Sequence, residues 1–376
     1  MPGLLPDIDP DGLLEYSVVF TDRSLNHMSQ QFQQVMRDIS DNLKSVYNAE
    51  AVVVVPGGGT YGMEAVARQF AHDKNCLVIR NGWFSFRWSQ IFEAGNIPAS
   101  STVLKAQQQT DAPQSPFAPA AIEEVVNRIL TEKPDLVFAP HVETASGIML
   151  PDAYIKAVGD AVHQVGGLFV LDCIASGTVW VDMQANNVDI LISAPQKGWS
   201  ASPCSALVML SKEARARIDQ TQSSSFACDL KKWLQIMEAY ENGGHAYHAT
   251  MPTDALKKFR DTMLETKTLG LDTLRQQQLE LGQRVRELFA QHGYKSVAAE
   301  GFGAPGVAVF YTDDATLQSG KPFLEQGLQV AAGVPLQCDE PADYRSFRIG
   351  LFGLDKLQNI ERTVANLQTA LQQVQS

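Results

Sequence analysis

Positive charge is what this chain has least of. Its 30 lysines and arginines face 42 aspartates and glutamates, a formal net charge of −12. That balance argues against a nucleic-acid or anionic-membrane partner, because either needs a basic surface. A phosphate needs only a local cradle, so a small anionic ligand is still allowed. Cysteine is scarce as well: Cys76, Cys173, Cys204, Cys228 and Cys338 are scattered, odd in number and without C-x-x-C spacing. This excludes a disulfide framework or a cysteine zinc site and points to reduced thiols in a cytoplasm. No apolar run reaches the roughly eighteen residues that a membrane-crossing helix needs. The opening stretch MPGLLPDIDPDGLLEY has neither a basic start nor an apolar run of signal-peptide length. His245 and His248, in GGHAYHA, lack a third ligand at metal spacing, so no metal is expected there.

What is present suits a large folded chain. The 376 residues are 45% hydrophobic and 19% charged, enough to bury one large core and a smaller one. Six short runs read as strands: AVVVVP (51–56), CLVIR (76–80), DLVFAP (135–140), LFVLD (168–172), DILISA (189–194) and SALVML (205–210). Most are almost continuously apolar, as in strands buried on both faces. Helical spacing lies between them. Met63, Val66, Ala67 and Phe70 follow i, i+3, i+4, i+7, as do Ala153 or Tyr154, Ala157, Val158, Ala161 and Val162, and Ile122, Val125, Val126 and Ile129 repeat the pattern. Strands alternating with helices predict an α/β fold around a mostly parallel sheet. The polar, proline-bearing stretch 105–119 reads as a surface loop.

Beyond residue 255 the texture changes. A long helical region over about 254–292 precedes the glycine-rich GFGAPG, the strands GVAVFY and RSFRIGL, and a last helix with Leu357, Ile360, Val364, Leu367 and Leu371 on one face. The expected organisation is an N-terminal segment (1–14), a large domain (15–255) and a smaller α+β C-terminal domain (256–376), with the long helix as the link. The first dozen residues are expected to pack on the small domain or on a partner.

Three segments carry chemistry. In PGGGTYGMEAV (56–66) a strand runs through Gly57, Gly58 and Gly59 into a helix, an arrangement that brings backbone amides close to an anion, above all a phosphate. No lysine follows as in a nucleotide-triphosphate loop, and a plain strand-to-helix turn has the same look. In VLDCIAS, Asp172 ends a buried strand, where ligand groups collect in open α/β sheets. A carboxylate there either caps the next turn or keeps a heteroaromatic nitrogen protonated. In ISAPQKGWSASP, Lys197 follows another buried strand; a partly desolvated lysine can form a Schiff base and shuttle a proton. The three together, in that order, say more than any one alone.

The succession GGGTYGMEA, HVETASG, LDCIAS, SAPQKGWSASP and FRIGLFG resembles the class V aminotransferases, enzymes of pyridoxal 5'-phosphate (PLP) fold type I, and within them the alanine–glyoxylate and serine–pyruvate group. The likeness spans roughly residues 50–370. It implies a PLP-dependent transaminase that moves an amino group from a small amino acid to a keto acid such as glyoxylate or pyruvate. Lys197 would carry the cofactor as a Schiff base and move the proton. Asp172 would pair with the pyridine nitrogen. Gly58, Gly59 and Thr60, with Gln196, would hold the phosphate. Phe84 would stack on the ring, with Trp83 as its neighbour if the alignment shifts by one, and Thr144 would approach the ring hydroxyl. Tyr247 and Thr250, in AYHATMP, match a segment that reaches a partner's phosphate, which implies a homodimer with shared sites. Arg348 would take the substrate carboxylate. His141, before the ETASG turn, either lines the site or is a satisfied buried histidine.

The resemblance departs near the start. In place of a Gly-Pro-Gly-Pro segment and a His-Arg-Ser stretch, the chain has LEYSVVFTDRSLNHMSQQF, with Ser17, Val18, Arg23, Asn26 and His27 where a substrate wall is expected. Alanine with glyoxylate is therefore not implied by the family alone. The alternative is a lyase on the same fold, a cysteine desulfurase, with Cys338 as the sulfur carrier. Gln196 before the lysine and an aromatic at the ring position both oppose it. A non-enzymatic binding protein is opposed by the presence of both Lys197 and Asp172.

Overall fold

The computed structural model describes residues 8–10 and 12–375. Seven strands form its main sheet: β1 (Ala51–Pro56), β2 (Asn75–Arg80), β3 (Ser100–Lys105), β4 (Leu136–Pro140), β5 (Leu168–Asp172), β6 (Ile190–Ser193) and β7 (Ser205–Leu210). Their order across the sheet is β1-β7-β6-β5-β4-β2-β3. Strand β7 is antiparallel to both its neighbours and every other pairing is parallel. The β-branched and aromatic side chains of the inner strands are buried on both faces, which is why these strands read as unbroken apolar runs. β3 was not apparent in that way. It pairs only with β2 and exposes Ser100 and Ser101, burying Leu104, so an edge strand of SSTVLK lacks the apolar run.

Because β1 and β6 both run antiparallel to β7, the C-terminal ends of β1, β2, β4, β5 and β6 share one edge. The glycine turn leaves β1 there, the Asn81–Phe84 segment leaves β2, His141 to Thr144 leave β4, Asp172 closes β5 and the Lys197 loop leaves β6. Parallel topology thus gathers segments that lie far apart in the chain.

Helices cover both faces. α1 (Gln30–Tyr47) begins at Ser29, whose side chain accepts from Phe32 N, and buries Phe32, Val35, Met36, Ile39 and Leu43. α2 (Gly59–Phe70) buries the expected face, Met63, Val66, Ala67 and Phe70. α3 (Trp83–Gly95) packs Trp88 on Phe138 with ring centroids 4.5 Å apart. α4 (Ile122–Glu132) and α5 (Asp152–Gln164) follow, and Tyr154 rather than Ala153 supplies the inward position of α5. The loop expected over 105–119 holds a two-stranded ribbon, Gln107–Gln108 with Phe117–Ala118, and Phe117 is buried.

The helical region expected over 254–292 is two helices. α6 (Thr253–Leu269) and α7 (Leu271–Gln291) meet at Gly270, whose φ of +93° only glycine adopts readily. Leu256, Phe259 and Met263 of α6 join the large core, which begins at Leu25, whereas Leu274, Leu281, Val285 and Phe289 of α7 join a second core. That second core is closed by the antiparallel pair β8 (Val307–Tyr311) and β9 (Ser346–Gly350) and by α8 (Ile360–Gln375), through Leu367 and Leu371. The expectation for the first dozen residues falls largely outside the described residues. Of those that are described, Ile8 lies against the large core and its carbonyl accepts from Lys257 Nζ at 3.2 Å, rather than meeting the small core.

Phe138, fully buried between Trp88 and Phe92 on the inner strand β4, is a sensitive packing point. Phe138→Ala is expected to destabilise the chain by roughly 3–5 kcal/mol, read as a fall in the urea unfolding midpoint.

Candidate active site

Lys197 sits on a tight loop held from several sides. Ser200 N donates to Lys197 O at 3.1 Å and Ala201 N to Pro195 O at 3.0 Å, while Trp199 is buried. Gly198 lies so close to the Asp172 side of the sheet that a Cβ there would stand 2.1 Å from Gly177 O. Only glycine permits that contact, and it locks the lysine loop onto the segment that follows Asp172. The half-buried Lys197 directs Nζ to 5.0 Å from the Phe352 ring centroid. Burial lowers its pKa, nearby Arg348 lowers it further and Asp172 opposes both, so the free amine is more accessible than on an ordinary lysine.

Asp172 ends the central strand, in register with Pro140 on one side and Ile192 on the other. It is buried and makes no ion pair among the described residues; Oδ1 accepts from Ile174 N at 2.9 Å. Burial pushes its pKa up to about 7, against that hydrogen bond. A cationic ring nitrogen is the kind of partner that returns such a group to its charged form.

The turn after β1 passes through Gly57 and Gly58 into α2, whose first turn has neither a side-chain cap nor an acidic residue. A Cβ on Gly59 would lie 2.6 Å from Ile174 Cδ1, so the turn and the Asp172 segment close on each other here. Gln196 Oε1, on the loop after β6, is buried without a hydrogen-bond partner. Phe84 stands at the start of α3, its backbone N donating to Glu143 Oε1 at 3.2 Å. Trp83, its neighbour, packs on Phe86 at 5.7 Å instead. Thr144 is buried next to Glu143.

Arg348 on β9 directs its guanidinium to 5.6 Å from the Phe84 ring centroid. Its Nε donates to Ala332 O at 2.8 Å and it has no ion pair among the described residues, which leaves the two terminal nitrogens for a ligand. Burial lowers its pKa while Glu143 and Tyr344 raise it.

Three residues of this site escaped the sequence reading. Glu143, fully buried, accepts from Phe84 N, Ser85 N, Ser85 Oγ and Ala145 N and so fixes the start of α3. Arg87 lies one turn beyond Phe84, and the i, i+3 spacing on α3 was the available signal. Phe352 follows FRIGL, just beyond β9, and presents its ring to Lys197.

Other expected residues have different surroundings. Tyr247 and Thr250 are exposed and joined by a 3.1 Å contact between Oη and Oγ1. The N-terminal residues gather beside that segment: His27 is 5.6 Å from the Tyr247 ring and 5.8 Å from His245, while Asn26 Nδ2 donates to Glu15 and to Ser17 Oγ. Val18 is fully exposed and Arg23 N donates to Thr21 Oγ1. His248 bonds Phe226 O at 2.9 Å. His141 is buried with Nδ1 2.7 Å from Ser176 Oγ, and burial pulls its pKa down to about 4, so it is a neutral, satisfied histidine. Cys338 is buried, its thiol donates to Arg80 O at 3.4 Å, and burial pushes its pKa up to about 12. A thiol so held lacks the thiolate that a sulfur carrier needs, which removes the chief support of the desulfurase alternative.

An amine with a depressed pKa, a buried carboxylate without a cation, an uncapped helix start and a free guanidinium fork fit a phosphorylated pyridine aldehyde and an amino acid. The family described as aminotransferase class-V matches residues 13–343. Alanine–glyoxylate aminotransferase of Rattus norvegicus is 23% identical over 93% of this chain and 83% of its own length. Among solved structures, alanine–glyoxylate aminotransferase from Nostoc sp. superposes with a TM-score of 0.78 at 21% identity, covering 93% of this chain and 89% of that one. An aspartate aminotransferase of Thermus thermophilus gives 0.76 at 21% identity, covering 94% of each. The chain belongs to the class V aminotransferases, on PLP fold type I, and is a PLP-dependent transaminase.

Proposed function

We propose that the chain moves an amino group between a small amino acid and a keto acid such as glyoxylate or pyruvate, with Lys197 and Asp172 as its catalytic residues. The observation that carries this reading is the gathering, at one sheet edge, of the half-buried Lys197, near Arg348, with Asp172, which has no ion pair among the described residues. Bound there, PLP supplies an electron sink for negative charge at the substrate α-carbon. Gly58, Gly59, Thr60 and Gln196 would hold its phosphate end, Phe84 would stack on its ring and Thr144 would approach its hydroxyl side. Asp172 keeps positive charge on the ring nitrogen. Lys197 Nζ takes the proton from the α-carbon and gives it back, a role its lowered pKa favours. Arg348 orients the α-carboxylate with its terminal nitrogens.

The same reading divides the chain into a large cofactor domain (15–255) and a small C-terminal domain (256–376); two separate hydrophobic cores support the division, although the large one extends through α6 as far as Met263. It also makes the enzyme a homodimer. Tyr247 at 53% exposure, Phe226 at 78% and Tyr61 at 55% offer exposed aromatic surface, and Tyr247 with Thr250 would serve the partner's phosphate. A cytoplasmic setting agrees with the five free thiols. Among the described residues no helix is long and apolar enough to cross a membrane.

The direct test follows the absorbance of the purified protein as amino acids are added singly. The true donor bleaches the visible band and a keto acid restores it; a band that no amino acid changes contradicts the assignment. Lys197→Ala should remove that band and lower turnover by at least about 100-fold. Arg348→Gln should raise KM for amino-acid donors about 10- to 100-fold, by loss of a charge-assisted fork, as steady-state kinetics would show.

Asp172 also sets a pH dependence in the cofactor-free chain. Its folded pKa of about 7 lies above the ordinary carboxylate value near 4, so its neutral form is favoured on folding. The stability this contributes is full below pH ~4 and is lost as pH rises towards 7. Asp172→Asn, which cannot ionise, should therefore gain on wild type across that window in urea unfolding. A difference independent of pH would show that Asp172 is charged throughout.

A further inference from the structure

We propose that Arg87 is a direct ligand of the cofactor's phosphate, completing with α2 a cradle that the glycine turn only half builds. The inference rests on the chain being a PLP enzyme and adds a side chain that no motif assigns.

Arg87 comes from α3, but its Nη1 donates to Thr60 Oγ1 at 2.9 Å, in the first turn of α2. A helix start carries partial positive charge and repels a cation unless an anion lies between them. Among the described residues no acidic side chain lies between them. The first turn of α2 has no acidic residue, and Arg87 makes no ion pair among the described residues. Asp172 is the carboxylate that feels its field, and burial holds Asp172 towards its neutral form. An arginine held against a helix start that has no side-chain cap, and without an ion pair among the described residues, is arranged for a ligand bearing negative charge.

The side chain is also aimed. Its guanidinium lies 5.2 Å from the Phe84 ring centroid, so the ring proposed to lie against the cofactor also fixes the arginine. Phe84 and Arg87 are one turn apart on α3, and Glu143 anchors that turn through the backbone of Phe84 and Ser85. The Thr60 hydroxyl occupies one of the five donors of the fork, which leaves enough for a doubly charged phosphate. Arg348 also reaches Phe84, at 5.6 Å, but is held on β9 by Ala332 O. The two arginines of the pocket thus divide the two anions: phosphate to Arg87, α-carboxylate to Arg348.

The test compares binding of PLP with binding of pyridoxal, which lacks the phosphate, to the cofactor-depleted full-length chain, read by absorbance titration. Wild type is expected to prefer PLP. In Arg87→Gln, affinity for PLP should fall about 10- to 100-fold while affinity for pyridoxal stays unchanged, so the preference collapses. Arg87→Lys, which keeps charge but not the fork, should lie between, and it carries the test alone if Arg87→Gln does not fold. Inorganic phosphate should compete with PLP for wild type and do so more weakly for the variants. Equal losses for PLP and pyridoxal would mean a structural role and overturn the proposal. So would an unchanged PLP preference accompanied by a raised substrate KM, which would make Arg87 a second carboxylate site. A wild type with no preference for PLP over pyridoxal would instead remove the phosphate cradle itself.

Discussion

A carboxylate is held out of water at the end of the central strand of a seven-stranded sheet, with no cation beside it. Burying a charge without a partner is costly, and a protein normally avoids it by pairing the group or neutralising it. Here the chain does neither fully. Asp172 receives one backbone hydrogen bond and its pKa rises to about 7. The surroundings follow from that choice. Lys197 is close enough to influence Asp172 but is kept from an ion pair with it, because Gly198 pins the lysine loop to Gly177 while Nζ lies over Phe352. Asp172 is thereby left for a positively charged ring atom.

The positive groups are kept apart by the same architecture. Lys197 belongs to the loop after β6, Arg87 to the helix after β2, and Arg348 to the small sheet. None of the three forms an ion pair among the described residues; Asp172 acts on Lys197 and Arg87 from a distance, and Glu143 acts on Arg348. Glu143 itself is spent on four hydrogen bonds that hold the start of α3. It acts on chemistry through position: it sets Phe84 and, one turn on, Arg87. A chain acidic overall thus builds a locally cationic pocket, since net charge speaks for the surface and not for one site.

Much of this was legible before folding. The inner strands announced themselves because both their faces are buried, and glycines marked the turn that approaches a ligand. Lys197 and Asp172 stood out because a charged residue after an apolar run has few places to go. Edge strand β3 was silent, since one of its sides meets solvent and its residues are mixed. The division of the 254–292 region at Gly270 was written in the chain, but the helical period on each side concealed it. The aromatic that packs beside the lysine, Phe352, looked like any core residue.

Local pattern alone determined that this chain forms a parallel α/β sheet with a glycine turn, an acid and a lysine each at the end of a strand. Those features depend on the burial of neighbouring side chains and on backbone freedom, both of which act over a few residues. That they share one edge is decided by strand order, in which β7 reverses direction between β1 and β6. Tertiary structure alone decided that Arg87 meets Thr60, that Glu143 supports Phe84 and that Cys338 is sealed from solvent. Such pairings join residues many positions apart, and no period or spacing in the chain encodes which distant groups a fold will press together.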